Sequence, residues 1–162
     1  MRPVKGQVLR LRGRPGEVAR RVVRTQDVYV VPRADGEVVI GATMEERGFD
    51  TSVTAGAVLE LLRYAYEALP GVAELELAEV SAGLRPTAPD NEPIVGESAL
   101  GGLVWATGHW RNGILLAPVT ADAVAALLAG EGLPAAFERF TPGRFSPRSR
   151  AAHAAAAGSA RR

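Results

Sequence analysis

Tyr29-Val30-Val31-Pro32-Arg33-Ala34-Asp35-Gly36-Glu37-Val38-Val39-Ile40-Gly41 is two short β-branched runs joined by an Asp-Gly turn. That pattern predicts a β-hairpin, because the Gly takes the positive φ that a tight turn between two strands requires. The first strand is expected over 27–32 and the second over 37–43. Toward the N-terminus, 4–12 reads as another strand, with Leu9 and Leu11 alternating with Arg10 and Arg12. Gly13-Arg14-Pro15-Gly16 marks the turn that follows it. Beyond the hairpin a helix is expected, capped by Ser52 or Thr54, with Val58, Leu61, Leu62, Ala65 and Leu69 on one face. Pro70-Gly71 stops it. A further extended stretch covers 74–88, where the prolines of Gly83-Leu84-Arg85-Pro86-Thr87-Ala88-Pro89 are expected to forbid a long regular element.

The C-terminal third repeats the exercise at smaller scale. Ile94-Val95-Gly96 is short and apolar, and 103–107 reads as a buried-type strand. It runs through Gly108-His109-Trp110-Arg111-Asn112-Gly113 into an apolar helix, with Pro118 placed in its first turn, Val124, Leu127 and Leu128 on one face and Gly130 to Gly132 at its end. The fold class is therefore α+β: an antiparallel sheet with a covering helix, then a strand–turn–helix. One domain is expected over 1–145 and a disordered basic tail over 146–162.

Composition removes several function classes. The 162 residues hold no cysteine, which excludes disulfides, thiolate metal sites and a cysteine nucleophile. The two histidines, His109 and His153, are far apart, so no metal site is expected. No apolar run approaches the length of a transmembrane helix, and Met1-Arg2-Pro3-Val4-Lys5-Gly6-Gln7 has no apolar signal core, so a cytoplasmic protein is expected. Positions 1–142 hold 14 basic and 18 acidic residues; the net charge of +1 comes from five arginines beyond Gly143. Of 19 basic residues, only Lys5 is lysine, a bias read as genome composition. The N-terminal arginines carry no interleaved aromatics and alternate as a strand's solvent face, so no nucleic-acid role is assigned.

The motifs that bear chemistry are few. Gly108 to Leu116 (GHWRNGILL) is a strand end, a Gly-bounded turn and a helix start, whose free amides suit an anion or dipole; it is equally a plain glycine turn with His109 and Trp110 as core. It has P-loop-like spacing, but Ile114-Leu115 stand where a phosphate-gripping lysine and hydroxyl belong. Gly130-Glu131-Gly132-Leu133-Pro134-Ala135 matches a dinucleotide fingerprint only in letters, because it follows a helix and Pro134 spoils the next one. Arg85, between Leu84 and Pro86, is either a surface residue or a two-pronged carboxylate clamp. Tyr29 and Met44, on or beside the hairpin, are either core or pocket wall.

Four stretches in order carry a resemblance: Pro3-Val4-Lys5-Gly6-Gln7; Tyr29-Val30-Val31-Pro32-Arg33 with Gly41-Ala42-Thr43-Met44; Ala82-Gly83-Leu84-Arg85-Pro86; and Gly108 to Pro118. Pro93-Ile94-Val95-Gly96 and Phe140-Thr141-Pro142-Gly143-Arg144-Phe145 fit as well. Over about residues 3–145 the chain resembles the C-terminal part of the FAD-dependent D-amino-acid oxidase family, closest to the glycine oxidases of thiamine biosynthesis. The resemblance implies that Arg85 binds the substrate carboxylate, with Arg111 as a second arginine near the substrate and Tyr29 and Met44 as pocket walls. It implies that His109, Trp110, Arg111, Asn112, Gly113, Ile114 and Leu115 lie against FAD, with no separate catalytic side chain, since the cofactor carries the chemistry.

The implied reaction is oxidative deamination of glycine or a small amino acid or amine to the oxo acid, with hydrogen peroxide and ammonia. The family's strand–glycine–helix dinucleotide site is not among these residues. The implied partner is therefore an FAD-binding N-terminal half, without which the chain is expected to be inactive. The alternative is a noncatalytic ligand-binding or subunit module. A domain parted from its partner is also expected to expose apolar surface and self-associate as a homo-oligomer.

Overall fold

A computed structural model describes residues 1–146. The described chain packs as two compact units, Pro3–Arg85 and Met1–Arg2 with the residues from Pro86 onward. The tail expected over 146–162 lies, from residue 147, outside the described residues.

The first unit is a five-stranded sheet covered on one face by a helix. The strands are β1 (Arg2–Arg12), β2 (Val23–Arg24), β3 (Tyr29–Pro32), β4 (Glu37–Gly41) and β5 (Glu76–Thr87), in the order β2-β3-β4-β1-β5. The pairs β2·β3, β3·β4 and β4·β1 are antiparallel. The hairpin forms where Asp-Gly predicts it: Gly36 has φ 88, and Arg33 N–H donates to the Glu37 carbonyl at 2.7 Å.

Register decides which side is core. Leu9 sits opposite Ile40, which sits opposite Val30; Leu11 sits opposite Val38. Directly opposed residues share a face, so these five form one apolar surface. Helix α1 (Ala55–Ala68) lays Leu61 and Ala65 on that surface, and Val28 and Val72 complete the cluster. Each such buried aliphatic side chain contributes about 1.5–3 kcal/mol relative to exposure. Of the two cap candidates, Thr54 serves: its Oγ1 accepts from Ala57 N–H at 3.3 Å. Leu69 is the C-cap, and Pro70–Glu74 forms a 3-10 turn.

β5 corrects one expectation. It is regular for 12 residues and runs through Pro86. The sheet order puts it at an edge, where a proline nitrogen interrupts no ladder on its open side.

The second unit is built on a hairpin of β6 (Ile94–Glu97) and β7 (Val104–Thr107), paired antiparallel, and on α2 (Gly113–Leu128). Its core is small: Val95, Ala123 and Phe137, flanked by Val124, Leu133 and Phe140. The Phe137 and Phe140 rings meet edge-on with centroids 6.0 Å apart. Three expectations change here. β7 is not buried, since Trp105 and Ala106 are exposed. Pro118 lies inside α2, because the helix starts at Gly113 and its first turn is already complete. Trp110–Leu128 is long and apolar enough to cross a membrane by length and composition, with a mean hydropathy of 1.3 and 11% of that window buried. The surface of α2 is left largely open: Ile114 is 95% and Leu115 78% exposed.

Candidate functional site

Two glycines make the site in the first unit. Val8 and Tyr29 both sit opposite Gly41, and Gly6 is two residues from Val8 on β1. By the two-residue alternation of strands, Gly6, Val8, Gly41 and Tyr29 share the face opposite the core. Gly6 and Gly41 therefore make a glycine strip beside Val8: two patches of backbone that carry no side chain of their own. A Cβ on Gly6 would fall on the Arg85 guanidinium, and a Cβ on Gly41 would fall on the Tyr29 phenol. Both large side chains lie flat on bare backbone.

Arg85 is held there by the main chain. Its Nη1 donates to the Thr43 carbonyl at 3.1 Å and to the Lys5 carbonyl at 3.4 Å. A guanidinium keeps its charge at any physiological pH and presents five N–H donors in a planar fork, which fits a carboxylate. Met44 follows Thr43 and is 57% exposed. With Thr43, Glu45, Leu61 and Tyr64 it lines an open cavity of about 490 Å³; Tyr29 and Arg85 are not among its lining residues. Thus Arg85 and Tyr29 both lie on the glycine strip, and Met44 stands beside the Arg85 anchor.

Beneath the site is a polar network that composition did not foretell. Lys5 and Gln7 are fully buried. Lys5 Nζ meets Asp50 Oδ2 at 2.8 Å. Gln7 Nε2 donates to Glu45 Oε1 at 2.7 Å, and Gln7 Oε1 accepts from Thr54 N–H at 2.9 Å. Thr43 Oγ1 donates to Glu45 Oε1 at 2.6 Å and accepts from Gln7 N–H at 2.9 Å. The Thr43 hydrogen bond, with help from Gln7 and Lys5, holds the Glu45 carboxyl below the usual carboxylate range against the cost of burial. Asp50 is held well below that range, chiefly by its hydrogen bond from Lys5 and then by Ser52.

The remaining predicted residues, His109 to Leu115, fall in the second unit. His109 is joined to Thr87 by an isolated antiparallel bridge, and its Nε2 lies 3.0 Å from Thr120 Oγ1. Burial pushes its pKa down, so the ring is neutral near pH 7. Trp110 takes φ 49, a left-handed conformation uncommon for a bulky residue. Its indole Nε1 is buried and has no hydrogen-bond partner among the described residues. The exposed Arg111 places its guanidinium carbon 6.0 Å from the Trp110 ring centroid. Asn112 is the N-cap residue of α2 but makes no side-chain capping bond. Amides without a side-chain cap at a helix start carry partial positive charge. Together with the unpartnered indole N–H and the open Ile114 and Leu115, that donor set fits a flat apolar ring with hydrogen-bond acceptors on its edge, as a flavin has. Pro118, which has no N–H, leaves a further interruption in the same helix.

The first unit thus offers an arginine seated on glycine backbone, and the second a helix start with donor groups. The family model for FAD-dependent oxidoreductases matches residues 1–127, and the chain belongs to that family, whose cofactor is FAD. It is 38% identical over 146 residues to the bifunctional protein ThiO/ThiG of Trichormus variabilis, an overlap of 88% of this chain and 22% of the relative. It is 39% identical over 129 residues to glycine oxidase of Pseudomonas aeruginosa, covering 79% of this chain and 35% of the relative. The solved glycine oxidase of Geobacillus kaustophilus superposes with a TM-score of 0.80 at 35% identity, covering 89% of this chain and 39% of that one. The chain thus spans about a third of the length of the glycine oxidases it matches.

Proposed function

We propose that these residues form the substrate-carboxylate and flavin-facing portion of an FAD-dependent oxidase acting on glycine or a small amino acid or amine, in thiamine thiazole formation and in the cytoplasm. The observation that carries the reading is Arg85, laid on Gly6 and anchored by the Thr43 and Lys5 carbonyls. A two-pronged hydrogen bond from Arg85 to the substrate carboxylate would fix the α-carbon, with Tyr29 and Met44 limiting the space around it. Arg111 adds positive charge at the helix start, and the amides there favour negative charge on whatever lies against them. FAD, when bound, supplies hydride acceptance from the α-carbon and reoxidation by oxygen to hydrogen peroxide, and the resulting imine hydrolyses to the oxo acid and ammonia.

The open side of α2 supports the same reading. Ile114, Leu115, Val119 and Leu128 are exposed on one helix. Such a surface marks an interaction site, and we assign it to packing against a dinucleotide-binding portion. Its span-like hydropathy then reflects burial in protein, not in lipid. None of the 162 residues supplies a dinucleotide fingerprint in a strand–turn–helix setting, so the chain by itself is expected to hold FAD poorly and to be inactive.

The test is to join this chain to the dinucleotide-binding portion of the Geobacillus kaustophilus glycine oxidase and assay hydrogen peroxide from glycine. Activity in the chimera, none in the chain alone, and a sharply raised KM on Arg85→Ala are expected. Unchanged kinetics in Arg85→Ala would remove the clamp. A chimera that holds FAD yet oxidises no small amino acid or amine would favour a noncatalytic ligand-binding module.

A further inference from the structure

The motif Pro3-Val4-Lys5-Gly6-Gln7 has one residue, Gly6, that the clamp reading uses, and two, Lys5 and Gln7, that it does not. Strand alternation separates them. Gly6 faces the bare strip under Arg85, and Lys5 and Gln7 face the opposite way, into the interior. A fully buried lysine and a fully buried glutamine, two residues apart, are costly unless paired. Both are paired, and with one segment: Lys5 with Asp50, Gln7 with Glu45 and Thr54. The main chain repeats the connection. Lys5 N–H donates to the Glu45 carbonyl at 2.9 Å, and Glu45 N–H donates back to the Lys5 carbonyl at 3.0 Å.

The segment tied down in this way begins at Thr43, whose carbonyl accepts from Arg85 Nη1. The carbonyl of Lys5 itself accepts from the same nitrogen. We propose that Lys5 and Gln7, through Asp50, Glu45 and Thr54, are positioning residues for Arg85: they fix the segment from Thr43 to Thr54 against β1, so that the two carbonyls hold the guanidinium flat over Gly6. The inference rests on the clamp reading only for its functional consequence. The lone lysine in a chain that otherwise uses arginine fits the slot, since a compact ammonium on a straight stem reaches Asp50 where a planar guanidinium would need more room.

The experiment uses the full 162-residue chain with ¹⁵N NMR on the Arg85 Nε–H group, with Arg85→Lys to assign the signal. The variants are Asp50→Asn, Gln7→Met and Lys5→Met, with Asp50→Glu as the conservative rescue. Acetate is the carboxylate probe. Asp50 is half-exposed, so Asp50→Asn keeps the test open even where Lys5→Met does not fold. In Asp50→Asn and Gln7→Met, with cooperative unfolding retained, the heteronuclear NOE of Arg85 Nε is expected to fall and the acetate Kd to rise by about three- to tenfold, with Asp50→Glu recovering most of both. Folded variants with an Arg85 Nε NOE equal to wild type would overturn the inference. A fall in the NOE in the variants with no acetate binding by the wild type would keep the positioning role and remove the clamp.

Discussion

Replacing Gly6 with alanine should separate binding from stability. No positive φ sets Gly6 apart, so alanine is conformationally acceptable there, and a strand gains roughly 0.5–1 kcal/mol when glycine becomes alanine. The added Cβ, however, would stand where the Arg85 guanidinium lies. Arg85 must lift, and with it goes at least one of the anchors to Thr43 and Lys5. A hydrogen bond to a charged group contributes about 1.5–3 kcal/mol. Losing the aim of a two-pronged carboxylate contact by that amount corresponds to roughly 10- to 150-fold in affinity. The expectation for Gly6→Ala is therefore a modest fall in unfolding free energy in urea, about 0.5–2.5 kcal/mol, since the strand's gain offsets part of the lost anchor, together with a KM for glycine in the FAD-loaded chimera, or an acetate Kd in the chain alone, weakened by that factor. A Gly6→Ala protein that binds carboxylate as well as wild type would refute the assignment of the strip as the seat of the clamp. A large loss of stability would refute the claim that Gly6 is kept for Arg85 and not for the strand.

Other outcomes follow from the same packing. Gly41→Ala should cost about 1–3 kcal/mol in chemical denaturation, because its Cβ meets the Tyr29 phenol on a neighbouring strand and the ring must shift; Tyr29→Ala in the same background should recover part of it. Paired Ile114→Lys and Leu115→Glu should reduce self-association of the chain in analytical ultracentrifugation and change stability by less than about 0.5 kcal/mol, since both side chains are open. His109 is held below its ordinary pKa by burial, so the unfolded chain takes up its proton first. Stability should thus be full above about pH 6.5 and decline as pH falls through the lower folded value, and His109→Gln should flatten that slope in urea titrations. Asp90 is likewise depressed, first by its hydrogen bond from Arg144; its contribution is present above about pH 4 and lost on further acidification, and Asp90→Asn should remove that part of the acid limb.

Much of the site was legible as residue types and little of it as geometry. Arg85, Tyr29 and Met44 stand out in sequence as a clamp-type arginine and two pocket-wall candidates, and GHWRNGILL stands out as a receptor turn. Nothing local shows that Gly6 and Gly41 are adjacent strips of one face, because their neighbourhood is created by the β1·β4 register. Lys5 and Gln7 read as ordinary polar residues on a strand. Their one local signal was Lys5 as the single lysine among 19 basic residues, which composition alone attributes to the genome.

The sequence by itself determined the local elements: the Asp-Gly hairpin, the 4–12 strand and the α1 helix with Thr54 among its caps. Each rests on interactions within a few residues, where turn chemistry, period and capping act. Tertiary structure decided what depends on distant partners. It allowed β5 to run through Pro86 by putting that strand at an edge. It left Trp105, Ile114 and Leu115 open although their apolar character reads as core. It also turned alternate residues of Lys5-Gly6-Gln7 to opposite faces, two into a buried network and one under the arginine, because a strand has two sides and only its neighbours decide which side meets what.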